Sequence, residues 1–254
     1  MNKKKTYIGI AVIVLIFGIV VIPKIIDRVM RGEVVKNDRL NVAELDTVDD
    51  SNAELSYINI NGKDRKVPHF EFVNQNGDTI TEDSYKGKVF LVEFFFTRCP
   101  TICIPMNKNL VLIQDEFKDD ANFGIASFSI DPEYDQPQIL KEYADQYGVT
   151  DPDWNLMTGE REKIYELANV GFNLLAQENP EIDGNFQHSG LFALVDQNGF
   201  IRSRKDDFGN PLIYYRGFIP QGTPETDDEE TSQIDILIED IHKLLNKNKN
   251  KNKK

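Results

Sequence analysis

Val89-Phe90-Leu91-Val92-Glu93-Phe94-Phe95-Phe96-Thr97-Arg98-Cys99-Pro100-Thr101-Ile102-Cys103 is the stretch on which the reading of this chain turns. Its first eight residues are apolar except for Glu93. A continuous rather than alternating run suits a strand covered on both faces, as in a buried parallel sheet. Directly after it stand the only two cysteines in the sequence, four positions apart. Pro100 fixes the turn. Pro105 has no N–H to offer the carbonyl of Thr101, so helix is expected no earlier than about Thr101, ending near Lys118. A thiol between a rigid strand and the positive end of a helix is a candidate for a lowered pKa. The spacing leaves two outcomes open: both sulfurs on one metal ion, or a disulfide between them. So small a ring would brace little of a 254-residue chain, which favours a working pair over a structural staple or two inert thiols.

The surrounding segments extend this into an α/β pattern. Upstream, 69–74 alternates, Asn76-Gly77 turns, and Thr79-Ile80-Thr81 returns as a hairpin. Downstream, 123–130 is a second buried strand ending in Asp131-Pro132. Asp135 is placed to cap the next helix, with Pro137 in its first turn and Gly148 as its stop. A short strand is expected at 154–157 and a helix over about 160–169. A strand over His188 to Val195 follows, then a turn at Asn198-Gly199 and a return over 200–203. Ile234, Leu237, Ile238, Ile241 and Leu245 have amphipathic helical spacing. The order predicts a mixed central sheet flanked by helices.

Outside that core, Thr6 to Ile22 is uncharged and apolar, and the segment extends to Ile26 if Lys24 is tolerated. At about 1.5 Å per residue it reaches roughly 26–32 Å, a bilayer core. Lys3, Lys4 and Lys5 predict a cytoplasmic N-terminus and an exported body. The long apolar stretch without a small-x-small site favours a retained anchor over a cleaved signal peptide. The absence of a following cysteine argues against a lipoprotein. Residues 1–26 thus read as tip and transmembrane helix and 27–66 as a juxtamembrane linker with a short strand near 55–60. Residues 67–245 read as the domain and 246–254 as a disordered Lys/Asn tail. The net charge is −13, and with nine lysines gathered at the two ends the body between is more acidic still. Such a surface excludes nucleic acid as a partner.

Three histidines remain. His242 falls off the apolar stripe of the last helix and His69 stands beside Pro68, both read as surface or structural positions. His188 opens a strand that, in this kind of fold, lies beside the cysteine strand, so it is expected to face the cysteine loop. Two thiolates and one imidazole make a soft, low-coordinate set that favours Cu(I) and holds Cu(II), whereas zinc normally takes a fourth ligand.

The segments Phe95-Phe96-Thr97-x-Cys99-Pro100-x-x-Cys103, Phe128-Ser129-Ile130-Asp131-Pro132-Glu133-Tyr134-Asp135 and Gln187-His188-Ser189 resemble the SCO1/SenC family over about residues 67–245. The resemblance implies a thioredoxin-like fold behind an N-terminal transmembrane helix, in the bacterial cytoplasmic membrane with the domain outside. It implies copper held by Cys99, Cys103 and His188. It also implies a metallochaperone role, delivering copper to, or preparing the thiols of, the CuA-bearing subunit of cytochrome c oxidase. Cys99 and Cys103 would double as a redox disulfide, kept reduced by a thiol reductant partner. Asp131 is either a contact behind the ligands or an Asp-Pro helix entry. The chain departs from the family at Ile104, where proline often follows the second cysteine. It also carries Arg98, a cation expected to favour thiolate and oppose Cu(II). The competing reading is an anchored thiol-disulfide oxidoreductase without copper. The C-x3-C spacing and His188 count against it, since such enzymes usually carry C-x-x-C. A peroxiredoxin would need T-x-x-C, and here a single residue separates Thr97 from Cys99.

Overall fold

A computed structural model describes Phe17 and residues 55–60, 62–182, 184–205, 209–223 and 231–251. The expected span at 6–26 lies outside these, Phe17 apart. Among the described residues no helix is long and apolar enough to cross a membrane.

The predicted apolar runs form the middle of the sheet. β6 (Val89–Phe95) and β7 (Phe123–Ser129) are buried at every position and pair in parallel, Val89 with Phe123 through Phe95 with Ser129. β8 (Trp154–Thr158) continues the parallel set. Beyond β8 lies the hairpin β4 (Glu71–Asn74) and β5 (Thr79–Thr81), with β4 antiparallel to β8. On the other side of β6, β11 (Leu191–Val195) and β12 (Ile201–Ser203) add antiparallel strands, and β13 (Tyr215–Arg216) pairs with β11. The short strand expected near 55–60 is present, in two pieces. β1 (Ser56–Tyr57) pairs with β12, while β2 (Asn59–Ile60) and β3 (Lys63–Asp64) make a small ribbon. Buried Leu55 and Ile58 give this polar-looking stretch its hold on the sheet.

Alternation along β6 divides its side chains between two layers. Phe94 stacks on Phe128 at 5.4 Å and meets Phe172 at 6.0 Å. Phe172 ends a π-helical turn (Leu167–Phe172) that continues the helix α3 (Arg161–Glu166). On the opposite side Phe95 meets Tyr143 of α2 (Pro137–Tyr147) at 5.6 Å. The Tyr143 hydroxyl accepts Asn107 of α1 (Cys103–Phe117), joining the two helices. α4 (Ile234–Lys251) packs beside α1, with His242 against the Phe117 ring and hydrogen-bonded to Glu116 at 3.0 Å. Its helix runs past Asn246 to Lys251, so the Lys/Asn segment expected to be disordered is helical that far. Helix propagates at little cost from a packed start into lysine-rich sequence.

Glu93 stands out in this layer. It is buried in β6 beside Ser127, whose hydroxyl donates to Oε1 at 2.6 Å and accepts the Trp154 indole N–H at 3.0 Å. Oε2 has no hydrogen-bond partner among the described residues. Burial pushes the carboxyl up from 4.5 to about 7. An acid raised in the folded state binds more protons folded than unfolded. Stability therefore falls as pH rises between about 4.5 and about 7, at a cost on the order of 3 kcal/mol once the window is crossed. Glu93→Gln is expected to remove that slope, leaving the variant relatively more stable at pH 8. Urea unfolding at pH 5 and pH 8 checks this; an unchanged pH slope would contradict it.

Candidate metal centre

The cysteine loop is shaped where β6 ends. The Cys99 N–H closes a turn on the carbonyl of Phe96 at 3.2 Å, and α1 begins at Cys103. Cys103 thus sits in the first turn of a 15-residue helix, with Pro105 where a missing N–H is harmless. Cys103 is fully buried, and Cys99 keeps a 9% opening to solvent. Both thiols are free.

His188 arrives differently from the expected single strand 188–195. Phe186–His188 forms β10, paired with β9 (Ala176–Glu178) in a ribbon separate from the main sheet. The chain then bends at Gly190, whose φ of +66° favours glycine, before starting β11. A Cβ there would meet the Phe218 ring at 2.9 Å. The ribbon is fixed at its base by Asn169 in the π-helical turn, which bonds both the N–H (3.0 Å) and the carbonyl (2.8 Å) of Ala176, the residue opposite His188. Asn173, with φ of 55°, ends that turn and releases the chain into the ribbon. Phe96 packs against Phe186 and makes a T-shaped contact with the His188 ring at 6.0 Å.

These two constructions meet. His188 Nε2 lies 3.1 Å from Cys103 Sγ. Sulfur of Cys99, sulfur of Cys103 and a ring nitrogen of His188 all fall within 4.8 Å of one another. The three residues singled out in the sequence are thus brought together, and no fourth His, Cys, Asp or Glu among the described residues joins them. His69, by contrast, is exposed and bound to Glu82 at 2.8 Å.

The two thiols differ sharply. A hydrogen bond from Cys103, helped by His188 and backbone N–H groups, pushes Cys99 down from 9.0 to about 3 against the effect of partial burial. Burial, together with the neighbouring Cys99 thiolate, pushes Cys103 up. At neutral pH the cysteine pair is one thiolate and one thiol.

Arg98 and Asp131 answer each other. The Arg98 guanidinium pairs with the buried carboxylate of Asp131 and lies over the Tyr134 ring at 4.1 Å. Asp131 therefore acts on the residue next to Cys99 and lies outside the cluster of Cys99, Cys103 and His188. The expected repulsion of Cu(II) by Arg98 is offset, because its charge is matched by Asp131 from the turn after β7. Asp135 also departs from expectation. α2 starts after Gln136 with no side-chain cap, and Asp135 is buried, accepting the N–H of Thr97 at 3.0 Å and the hydroxyls of Thr97 and Ser129. Locally Asp135 reads as a helix cap, and its hold on Thr97, 38 residues away, has no signature in the neighbouring sequence.

A family model described as SCO1/SenC matches residues 59–213. The Bacillus subtilis SCO1 protein homolog is 36% identical over 136 residues, 53% of this chain and 70% of that one. A Stutzerimonas stutzeri protein named for copper binding is 29% identical over 158 residues, 60% of this chain and 76% of that one. The solved structure of BsSco, a member of the Sco family of cytochrome c oxidase assembly proteins, superposes with a TM-score of 0.56 at 30% identity, covering 71% of this chain and 93% of that one.

The thiol asymmetry has a direct readout. Iodoacetamide should label Cys99 first, at a rate nearly flat between pH 5 and pH 8, and Cys103 in the Cys99→Ser variant should remain slow at pH 8. A Cys99 rate climbing tenfold per pH unit up to pH 8 would contradict the assignment.

Proposed function

Because the chain belongs to the SCO1/SenC family, we propose that it is a copper-binding protein of cytochrome c oxidase assembly, its cargo held by Cys99, Cys103 and His188. The observation that carries this reading is the convergence of two sulfurs and one imidazole nitrogen, all from buried residues, within 4.8 Å. That donor set suits Cu(I), holds Cu(II), and lacks the fourth ligand of a closed zinc site. The relative named for copper binding and the BsSco structure support the same assignment.

Each residue has a task. Cys99 is already a thiolate at neutral pH and offers the first bond through its opening to solvent. Cys103 must give up its proton as the ion enters, so loading releases about one proton per chain. His188, held by its ribbon, adds a nitrogen donor that Cu(II) needs more than Cu(I) does. The apolar Phe96 and Phe186 beside it limit access of water. The proposed end of this chemistry is delivery of copper to the CuA-bearing subunit, or preparation of its thiols, by a domain tethered to the membrane through residues 6–26. The depressed Cys99 equally favours a second reading, thiol-disulfide exchange without copper.

Metal analysis of the reduced full-length protein separates the two, with one copper per chain expected. His188→Ala should weaken Cu(II) binding by tenfold or more with a smaller effect on Cu(I), and Cys99→Ser should impair both. Reductase activity with no copper retained would favour the second reading, and unaltered Cu(II) binding in His188→Ala would remove the histidine from the site.

A further inference from the structure

We propose that Asp135 is the positioning residue of the cysteine loop, and that by holding Thr97 it sets the balance between dithiol and disulfide at Cys99 and Cys103. The inference takes from the proposed function only that the pair is a working pair.

Asp135 is fully buried. Its carboxylate accepts the backbone N–H and the hydroxyl of Thr97, two residues before Cys99, and the hydroxyl of Ser129. Ser129 ends β7 beside Phe95 of β6, and its oxygen also accepts the Asp131 N–H at 3.1 Å. The Asp135 N–H bonds the Asp131 carbonyl at 2.9 Å. One carboxylate thus ties together the ends of two central strands and the turn that carries Asp131. All three donors to it are neutral, so burying the charge is costly in a way that a capping or space-filling role would not require.

What a carboxylate does here and a methyl group cannot is fix both the N–H and the hydroxyl of one residue. Cys103 is anchored in the first turn of α1 and Cys99 lies in the loop before it, so the adjustment that brings the sulfurs to about 2 Å falls on the Cys99 side. Thr97 stands two residues before Cys99, and its two bonds to Asp135 oppose adjustment on that side. The dithiol arrangement that converges on His188 is the one the lock favours. Releasing Thr97 is therefore expected to shift the pair toward disulfide. In that exchange the Cys99 thiolate and the Cys103 thiol give two electrons and the Cys103 proton to an oxidised glutathione, leaving one protein disulfide and two glutathione thiols, the second protonated from solvent.

The test equilibrates copper-free full-length protein in glutathione buffers of graded ratio, then traps the thiols by alkylation and counts them by mass. Asp135→Asn and Thr97→Val are each expected to move the equilibrium toward disulfide about tenfold, or ~30 mV. Thr97→Ser, which restores the hydroxyl, should stay at the wild-type midpoint. Ile241→Val, a core truncation in α4, loosens the fold without touching the loop and should leave the midpoint unmoved. Wild-type midpoints in both Asp135→Asn and Thr97→Val would overturn the proposal, as would an equal shift in Ile241→Val or a wild-type pair that never oxidises. If Asp135→Asn fails to fold, Thr97→Val decides alone. Because no copper is used, a chain that failed to bind copper would leave this result standing.

Discussion

The 3.1 Å approach of His188 Nε2 to Cys103 Sγ is the contact on which the site depends. It joins positions 85 residues apart, and neither side can reach the other by local structure alone. On one side the loop after β6 and the first turn of α1 present the sulfurs. On the other, a π-helical turn, a left-handed Asn173 and a ribbon clamped by Asn169 deliver the imidazole. π-Helical turns inside α-helices are rare and concentrate at functional positions. Here the turn supplies the Asn169 clamp on the residue opposite His188.

The site is assembled from parts with unequal costs. A buried, half-satisfied Glu93 weakens the core beneath the cysteine layer at neutral pH. Asp131 and Asp135 bury two more carboxylates within a few residues of each other. Their effects differ because their partners differ: Asp131 matches the charge of Arg98, whereas Asp135 holds neutral donors on Thr97 and Ser129. The first sets the charge beside Cys99, and the second sets its position. The large apolar investment in β6, β7 and the aromatic layer of Phe70, Phe94, Phe128 and Phe172 is what a fold needs to carry such groups.

The centre of the sheet was readable in the sequence because strands buried on both faces appear as unbroken apolar runs, and 89–96 and 123–130 do so. The cysteine pair and its place at a strand end followed from the same run. Less could be read where backbone conformation, rather than hydrophobicity, decides. Gly190 looks like one glycine in an apolar strand, yet its positive φ splits 186–188 from 191–195 and puts His188 on a separate ribbon. Asp135 has the sequence of a helix cap, and only the approach of Thr97 across β6 and β7 shows its other use. Residues 55–66 are polar in composition, and two buried side chains, Leu55 and Ile58, suffice to dock them. In each case the deciding partner is distant in sequence.

The central claim, that the two sulfurs and the imidazole act together on one ion, is tested most directly by X-ray absorption at the copper edge of the full-length protein loaded with one equivalent of copper. The account predicts two sulfur donors and one imidazole nitrogen in the oxidised, copper-loaded form, with the imidazole scattering lost in His188→Ala. A spectrum with only oxygen and nitrogen donors, or an imidazole signal that survives the substitution, would contradict it.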